Sequence, residues 1–366
     1  MSVIIFIIVL SILIFSHELG HFLAARSVRI RVDEFAIGFP PRLFSWKRGE
    51  TTYALNLIPF GGYVKIFGEN PDEESLTGPD ASRSISNKSK WAQAWVLVAG
   101  ILFNLLLAWL LIVLAYSTVG LPTARESVPE GYILTNDQLL IAGVAPDSPA
   151  ALAELKPGDV VESVALPGQP VVENPTSIEV QKLVAEANNQ IVTVAISRAG
   201  DQLVKEITPT VVGAEPPRLG IQMAEVGTLG LPIHKAITFG TSVTLNLIKE
   251  TGKALALFLA SLFQGDGDAL SQVTGPVGLV GIVGGAARIG LGYLMSLTAL
   301  ISINLALLNL IPFPALDGGR VLFLAIEAVK GSPIKPKVAN TVNVVGFSLL
   351  ILLMVFVTVS DIFRLF

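Results

Sequence analysis

Two histidines and a glutamate stand in Ser16-His17-Glu18-Leu19-Gly20-His21-Phe22, inside an otherwise almost wholly apolar run from Val3 to Ala25. On a helix, residues four apart sit one turn apart on the same face, so His17 and His21 can offer two imidazoles to one metal ion. That pairing suits zinc, and Glu18 between them is placed to act as general base toward the attacking water. Two imidazoles and a carboxylate are costly in a hydrocarbon-facing helix and therefore call for a function. The chain has only three histidines and two of them are here, which weighs against a chance pair on a core helix.

The elements that must position these groups belong to a membrane protein. Of 366 residues, 52% are hydrophobic and 15% charged, and the mean hydropathy is +0.66, with length left over for about one soluble domain. A net charge of −4 gives no nucleic-acid footprint, so no nucleic-acid partner is expected. Without cysteine, a metal must be held by nitrogen and oxygen. The first apolar run lacks a basic leader and a small-residue cleavage site, and reads as a retained span rather than a signal peptide.

Four spans are predicted: Val3 to Ala25, Trp91 to Val119, Leu291 to Leu310 and Val342 to Val359. Basic residues crowd the stretch between the first two, from Arg26 to Lys90, and recur at Arg320, Lys330, Lys335 and Lys337. The asymmetry puts both stretches in the cytoplasm and both termini outside. The His17/His21 end of span one and Asp317, just past span three, then share the cytoplasmic side. Asp317 before Gly318-Gly319 could be a helix cap. A zinc site, however, needs a third protein ligand and an open position. No other acidic residue lies in or beside spans two and three on that side, which makes Asp317 the economical third ligand.

Between the spans, Thr52 to Ile58 and Tyr63 to Phe67 read as a hairpin turning at Gly61-Gly62. It is either a small packed sheet or an edge that accepts an extended peptide. Asn70 to Lys90, rich in Glu, Asp, Ser and Pro, reads as a mobile loop. Residues 122–226 alternate short strands with two short helices, a β-rich binding module. Residues 227–290 read as a linker with a helix over 232–263 lying on the outer membrane face, a full extra span being the alternative. His234 there is a polar-face residue. The expected parts are thus 1–121, 122–226, 227–290 and 291–366.

Several stretches together resemble the site-2 protease family of intramembrane zinc metalloproteases, in particular its bacterial RseP-type (regulator of sigma E protease) members. They are His17 to His21, Ile37-Gly38-Phe39-Pro40, Pro59 to Lys65, Ala99-Gly100 with Asn104, and Asn309 to Gly319. The resemblance covers nearly the whole chain. It implies a polytopic α-helical protein of the bacterial cytoplasmic membrane with Zn2+ on His17, His21 and Asp317 and with Glu18 as catalytic base. It implies that Asn309, Pro312 and Pro314 position substrate, and that Gly61, Gly62, Tyr63, Val64 and Lys65 belong to a cytoplasmic-side, membrane-associated β-element pairing with unwound substrate. The module at 122–226 looks like one extracytoplasmic PDZ domain, with Arg218, Leu219, Gly220 and Ile221 as its carboxylate loop. The implied substrates are single-span membrane proteins already cut once. Two departures bear on regulation: one PDZ-like segment where many relatives have two, and Pro40 in place of a second glycine after Phe39. A non-catalytic PDZ scaffold has no use for Glu18 between two histidines, and a metal transporter would show internal repeats and more acidic residues across the bilayer.

Overall fold

The computed structural model describes residues 1–69, 72–128, 131–132, 134–187, 190–198, 201–210, 217–265 and 273–363. They form two compact units, one of residues 1–115 with 233–366, the other Tyr116–Pro232. Among the described residues, four helices are long and apolar enough to cross a membrane. These are α1 (Ser2–Ser27), α3 (Lys90–Thr118), α8 (Leu291–Leu310) and α10 (Pro336–Phe363). The chain is a multi-pass membrane protein with two β-containing parts.

The first unit holds one sheet made of two long strands, β1 (Val32–Arg48) and β2 (Thr51–Ile66). This corrects the hairpin expected from sequence. The turn is at Gly49-Glu50, Gly61-Gly62 lie inside β2, and the segments 52–58 and 63–66 do not pair with each other. Both pair with β1 instead. Glu34 stands opposite both Lys65 and Thr52, and Phe35 opposite both Val64 and Tyr53, so the start of β1 is sandwiched between the two ends of β2. Residues 32–48 carry Gly38 and Pro40-Pro41, residue types that disfavour a strand interior. Gly38 sits at φ +83°, where a Cβ would lie 2.7 Å from the Ile58 carbonyl oxygen, and β1 bends there rather than ending.

The polar stretch before α3 is also built rather than loose, a second correction. Asp72 caps the short helix α2 (Glu73–Thr77) by accepting from the Ser75 N–H, and the Ser75 hydroxyl returns the bond to the Asp72 backbone. Asn87 donates to the carbonyls of Ser75, Leu76 and Ala81. Asp, Ser and Asn here serve as caps, a use that composition alone does not distinguish from disorder.

Residues 233–263 form one continuous helix, α6 (Ile233–Phe263), which is not among the four span-like helices. It crosses α3, where the Trp109 indole N–H donates to Thr241 Oγ1 at 2.9 Å. An apolar helix follows that the linker reading missed, α7 (Pro276–Ile289). Its Val283 is buried with Phe6, Val9 and Leu13 of α1, the turns leading to His17. Its N-terminal N–H groups at Gly275 and Gly278 donate to the buried Asp361 carboxylate of α10, a cap supplied from another helix. The helix α9 (Asp317–Lys330) precedes α10.

The second unit is a twisted antiparallel sheet of β3 (Leu121–Ala124), β4 (Thr135–Val144), β5 (Val160–Ala165), β6 (Val172–Glu173), β7 (Val192–Arg198), β8 (Asp201–Ile207) and β9 (Ile221–Leu229). Its order is β3-β9-β4-β5-β7-β8, with β6 on β5. Two helices, α4 (Pro149–Leu152) and α5 (Ser177–Glu186), close it over a core that includes Ile141, Val164, Val184 and Ile196. Ser148 caps α4, and Thr176 with Glu179 forms a capping box on α5.

Candidate active site

The site is assembled from α1, α3, β2 and the start of α9. His17 and His21 occupy one face of α1, and their Nε2 atoms are 3.2 Å apart. Asp317 Oδ2 lies 3.2 Å from His17 Nε2 and 3.3 Å from His21 Nε2. Among the described residues these three form the one group of His, Asp or Glu side chains close enough to hold a metal. Their mutual spacing is itself a fit test. Ligands about 2.0–2.1 Å from a tetrahedral zinc lie about 3.3–3.4 Å from one another. Asp317 Oδ2 is buried and has no aligned hydrogen-bond donor, which is the condition of an oxygen waiting for a cation. The donor set and its geometry fit zinc.

The helix start that delivers Asp317 depends on two glycines. After α8 the chain breaks at Pro312 and Pro314 and re-enters α9 directly beneath the break. A Cβ on Gly318 would stand 2.3 Å from the Ile311 carbonyl oxygen, and one on Gly319 2.2 Å from that of Phe313. Leu316, not Asp317, is the cap residue of α9, and no side chain caps it. The carboxylate is turned to the histidines instead.

α3 presses on the same cluster. A Cβ on Gly20 would come 2.4 Å from the Ala99 carbonyl oxygen, so α1 and α3 touch backbone to backbone. One on Gly100 would lie 2.5 Å from His21 Nε2 and 2.8 Å from His17 Cε1. The Val96 carbonyl oxygen is 2.8 Å from His21 Nδ1. Gly100→Ala is therefore expected to push both rings off the Asp317 oxygen and to lower zinc content several-fold at unchanged expression, measured by elemental analysis of the purified protein.

Glu18 faces β2. Its carboxylate lies on the side of β2 that carries Gly62 and Val64. Gly62 comes so close to α1 that a Cβ would lie 2.7 Å from Ile14 Cγ2 and 3.1 Å from Glu18 Cγ. Side chains alternate along a strand, and the five β-element residues divide accordingly. Gly62 and Val64 meet α1, whereas Tyr63 donates from its hydroxyl to Glu34 at 3.1 Å and Lys65 is exposed. Gly61, at φ +127°, is filled by the Phe39 ring. Asn309 is half-buried in the last turn of α8, Pro312 is exposed, and Pro314 packs against Gly346 of α10. Arg218, Leu219, Gly220 and Ile221 belong to the second unit. There they line a cavity of about 650 Å³ with Val180 and Val184 of α5.

Two groups near the centre escaped the sequence reading. Arg320, one turn into α9, pairs with Glu69 just after β2 and so ties the ligand helix to the β-element. The buried Ser302 of α8 donates to the Asn104 carbonyl at 2.7 Å, fixing α8 to α3 beside the histidines. The signal for Ser302 was present: Thr298 and Ser302 are polar and four apart, on one face of a largely apolar span.

Residues 5–353 match the model of peptidase family M50. The chain is 34% identical, over 99% of its length and 98% of the relative's, to a Clostridium perfringens protein named provisionally as a zinc metalloprotease. It is 29% identical to zinc metalloprotease RasP of Geobacillus kaustophilus, over 100% of this chain and 98% of the relative. With the regulator of sigma-W protease RasP of Bacillus subtilis the identity is 28%, over 100% and 99%. The match thus runs through both units and both halves of the cluster, and the chain belongs to peptidase family M50, as a membrane zinc metalloprotease of the site-2 type.

Proposed function

We propose that this protease cuts single-span membrane proteins inside their transmembrane segment, in a bacterial cytoplasmic membrane and with one zinc per chain, after another protease has removed most of the outer domain. The observation that carries the reading is the metal cluster on a span-long helix with the edge of β2 laid beside Glu18. Zinc on His17, His21 and Asp317 would polarise the scissile carbonyl. Glu18 takes the proton of the attacking water and returns it to the leaving amine. A helical segment hides its amide bonds, so the substrate must be extended first. On the side away from β1, the Gly62–Lys65 end of β2 has no strand partner among the described residues. A substrate strand added there would run past Glu18. Asn309, in the last turn of α8, and Pro312 and Pro314, in the break before Asp317, would hold the far side of that strand.

In this reading the β-containing unit is a PDZ domain outside the membrane, the β-element and zinc lie toward the cytoplasm, and α6 rests on the outer lipid surface. The cavity between α5 and β9, lined by Arg218–Ile221, would take a peptide C-terminus. Its short tethers favour a steric role, excluding substrates with bulky outer parts. A regulatory substrate such as an anti-sigma factor agrees with the name of the Bacillus subtilis relative. The test uses purified full-length protein and two substrates sharing one transmembrane helix, one with a short outer segment and one with a folded outer domain. The expected result is cleavage of the short one alone, stopped by a zinc chelator. Deleting residues 127–222 with a flexible join should then admit the long one. Equal cleavage of both by the intact protein would overturn the requirement for prior trimming.

A further inference from the structure

A histidine can ligate a metal through Nε2 only if its remaining proton is on Nδ1, and the partner of Nδ1 decides this. For His21 the partner is the Val96 carbonyl oxygen at 2.8 Å, which can only accept. Its Nδ1 therefore carries a proton, and the neutral ring then offers Nε2 to a metal. For His17 the neighbour is the Asn104 side chain, an amide that can present either a donor or an acceptor. Its Nδ2 is 3.3 Å from His17 Nδ1, while its Oδ1 is buried and has no hydrogen-bond partner. Asn104 as a whole is 1% exposed. An orphaned buried amide oxygen forfeits its hydration without return, and an amide donor aimed at Nδ1 would drive the His17 proton onto Nε2, into the metal position. Turning the amide end for end removes both conflicts, since its oxygen and nitrogen are nearly isosteric.

We propose that Asn104 is a positioning residue for the metal: its Oδ1 accepts the Nδ1–H of His17 and so fixes His17 as an Nε2 ligand. The two histidines are then held in matching ways from one helix, His21 by a backbone carbonyl of α3 and His17 by a side chain two turns further along it. Asn104 is itself held from behind, because the Ser302 hydroxyl donates to its backbone carbonyl. That bond does not involve the amide and survives any substitution at position 104. The proposal rests on His17 being a zinc ligand.

The test is zinc affinity, read by competition with a chromogenic chelator on full-length protein in detergent, for wild type, Asn104→Leu and Asn104→Asp. Leucine fills similar space without an acceptor and should weaken zinc binding about 10–100-fold. Aspartate offers only acceptors, so it should hold zinc at least as tightly as wild type. A residue that merely packed two helices would be harmed by a buried carboxylate as much as by leucine. Wild-type affinity in Asn104→Leu overturns the proposal, as does a tenfold loss in Asn104→Asp. If Asn104→Leu does not fold, Asn104→Asp decides alone. A readout needing no variant is the ring 15N spectrum of zinc-depleted wild type, where His17 Nδ1 should carry a proton; an unprotonated Nδ1 overturns the proposal. Wild type that binds no zinc overturns the metal reading together with the proposal, whereas wild-type binding with an unchanged leucine variant overturns the proposal alone.

Discussion

Glu18→Gln is expected to abolish cleavage of a single-span substrate while leaving zinc at the wild-type level. Glutamine has the shape of glutamate, so the approach of β2 to α1, where Gly62 meets Ile14 and the Glu18 stem, should survive. The three metal-facing atoms belong to His17, His21 and Asp317 and are untouched. What is lost is the basic oxygen that takes the water's proton. General acid–base groups contribute about 10²–10⁴-fold to rate, so turnover should fall by at least about a hundredfold. Cleavage followed on gels, with elemental analysis of the same preparation, checks both halves. Turnover above roughly a tenth of wild type, at full zinc, would remove Glu18 from the base role.

The residues behind this result differ in how far sequence alone reveals them. His17, Glu18 and His21 lie within five positions on one helix, so helical periodicity places them in space without any tertiary knowledge. Asp317 is 296 residues beyond His21. Only the charge bias of the loops, which puts the ends of two spans on one side, hints at the approach. The β-element was legible as strands but not in its pairing. The local signal of Gly61-Gly62 suggested a turn, whereas the pairing is set by β1, whose prolines disguise it. α7 was missed because a glycine-rich apolar run of its length falls between a linker and a span. What makes it a helix is distant: Val283 buried on α1 and a cap from Asp361. Asn104 and Ser302 illustrate the same limit at single residues. Their types are visible as polar positions in apolar spans, but their partners are fixed only when α1, α3 and α8 come together.

Asp317→Ala should remove zinc and activity together. With the carboxylate gone the cluster is two neutral imidazoles, and catalytic zinc sites keep three protein ligands. The bare Nε2 atoms 3.2 Å apart would then lack the anion that offsets a divalent charge. Asp317→Asn keeps an oxygen in place without that charge and should retain part of the metal. The competing view is that Asp317 matters to the start of α9 rather than to the metal. The structure separates the two in advance. Leu316 is the cap residue and no side-chain cap bond is made, so Asp317 contributes to the helix only through its dipole, about 0.3–1 kcal/mol. Zinc-depleted Asp317→Ala should therefore unfold within about 1 kcal/mol of zinc-depleted wild type, while the zinc-loaded proteins differ widely because only wild type gains stability from the ion. Elemental analysis, chelator competition and thermal unfolding with and without zinc measure all of this on the same samples. Full zinc occupancy in the alanine variant would show that the metal is held without Asp317. Equal loss of stability in the zinc-depleted state would show that the residue serves the helix instead.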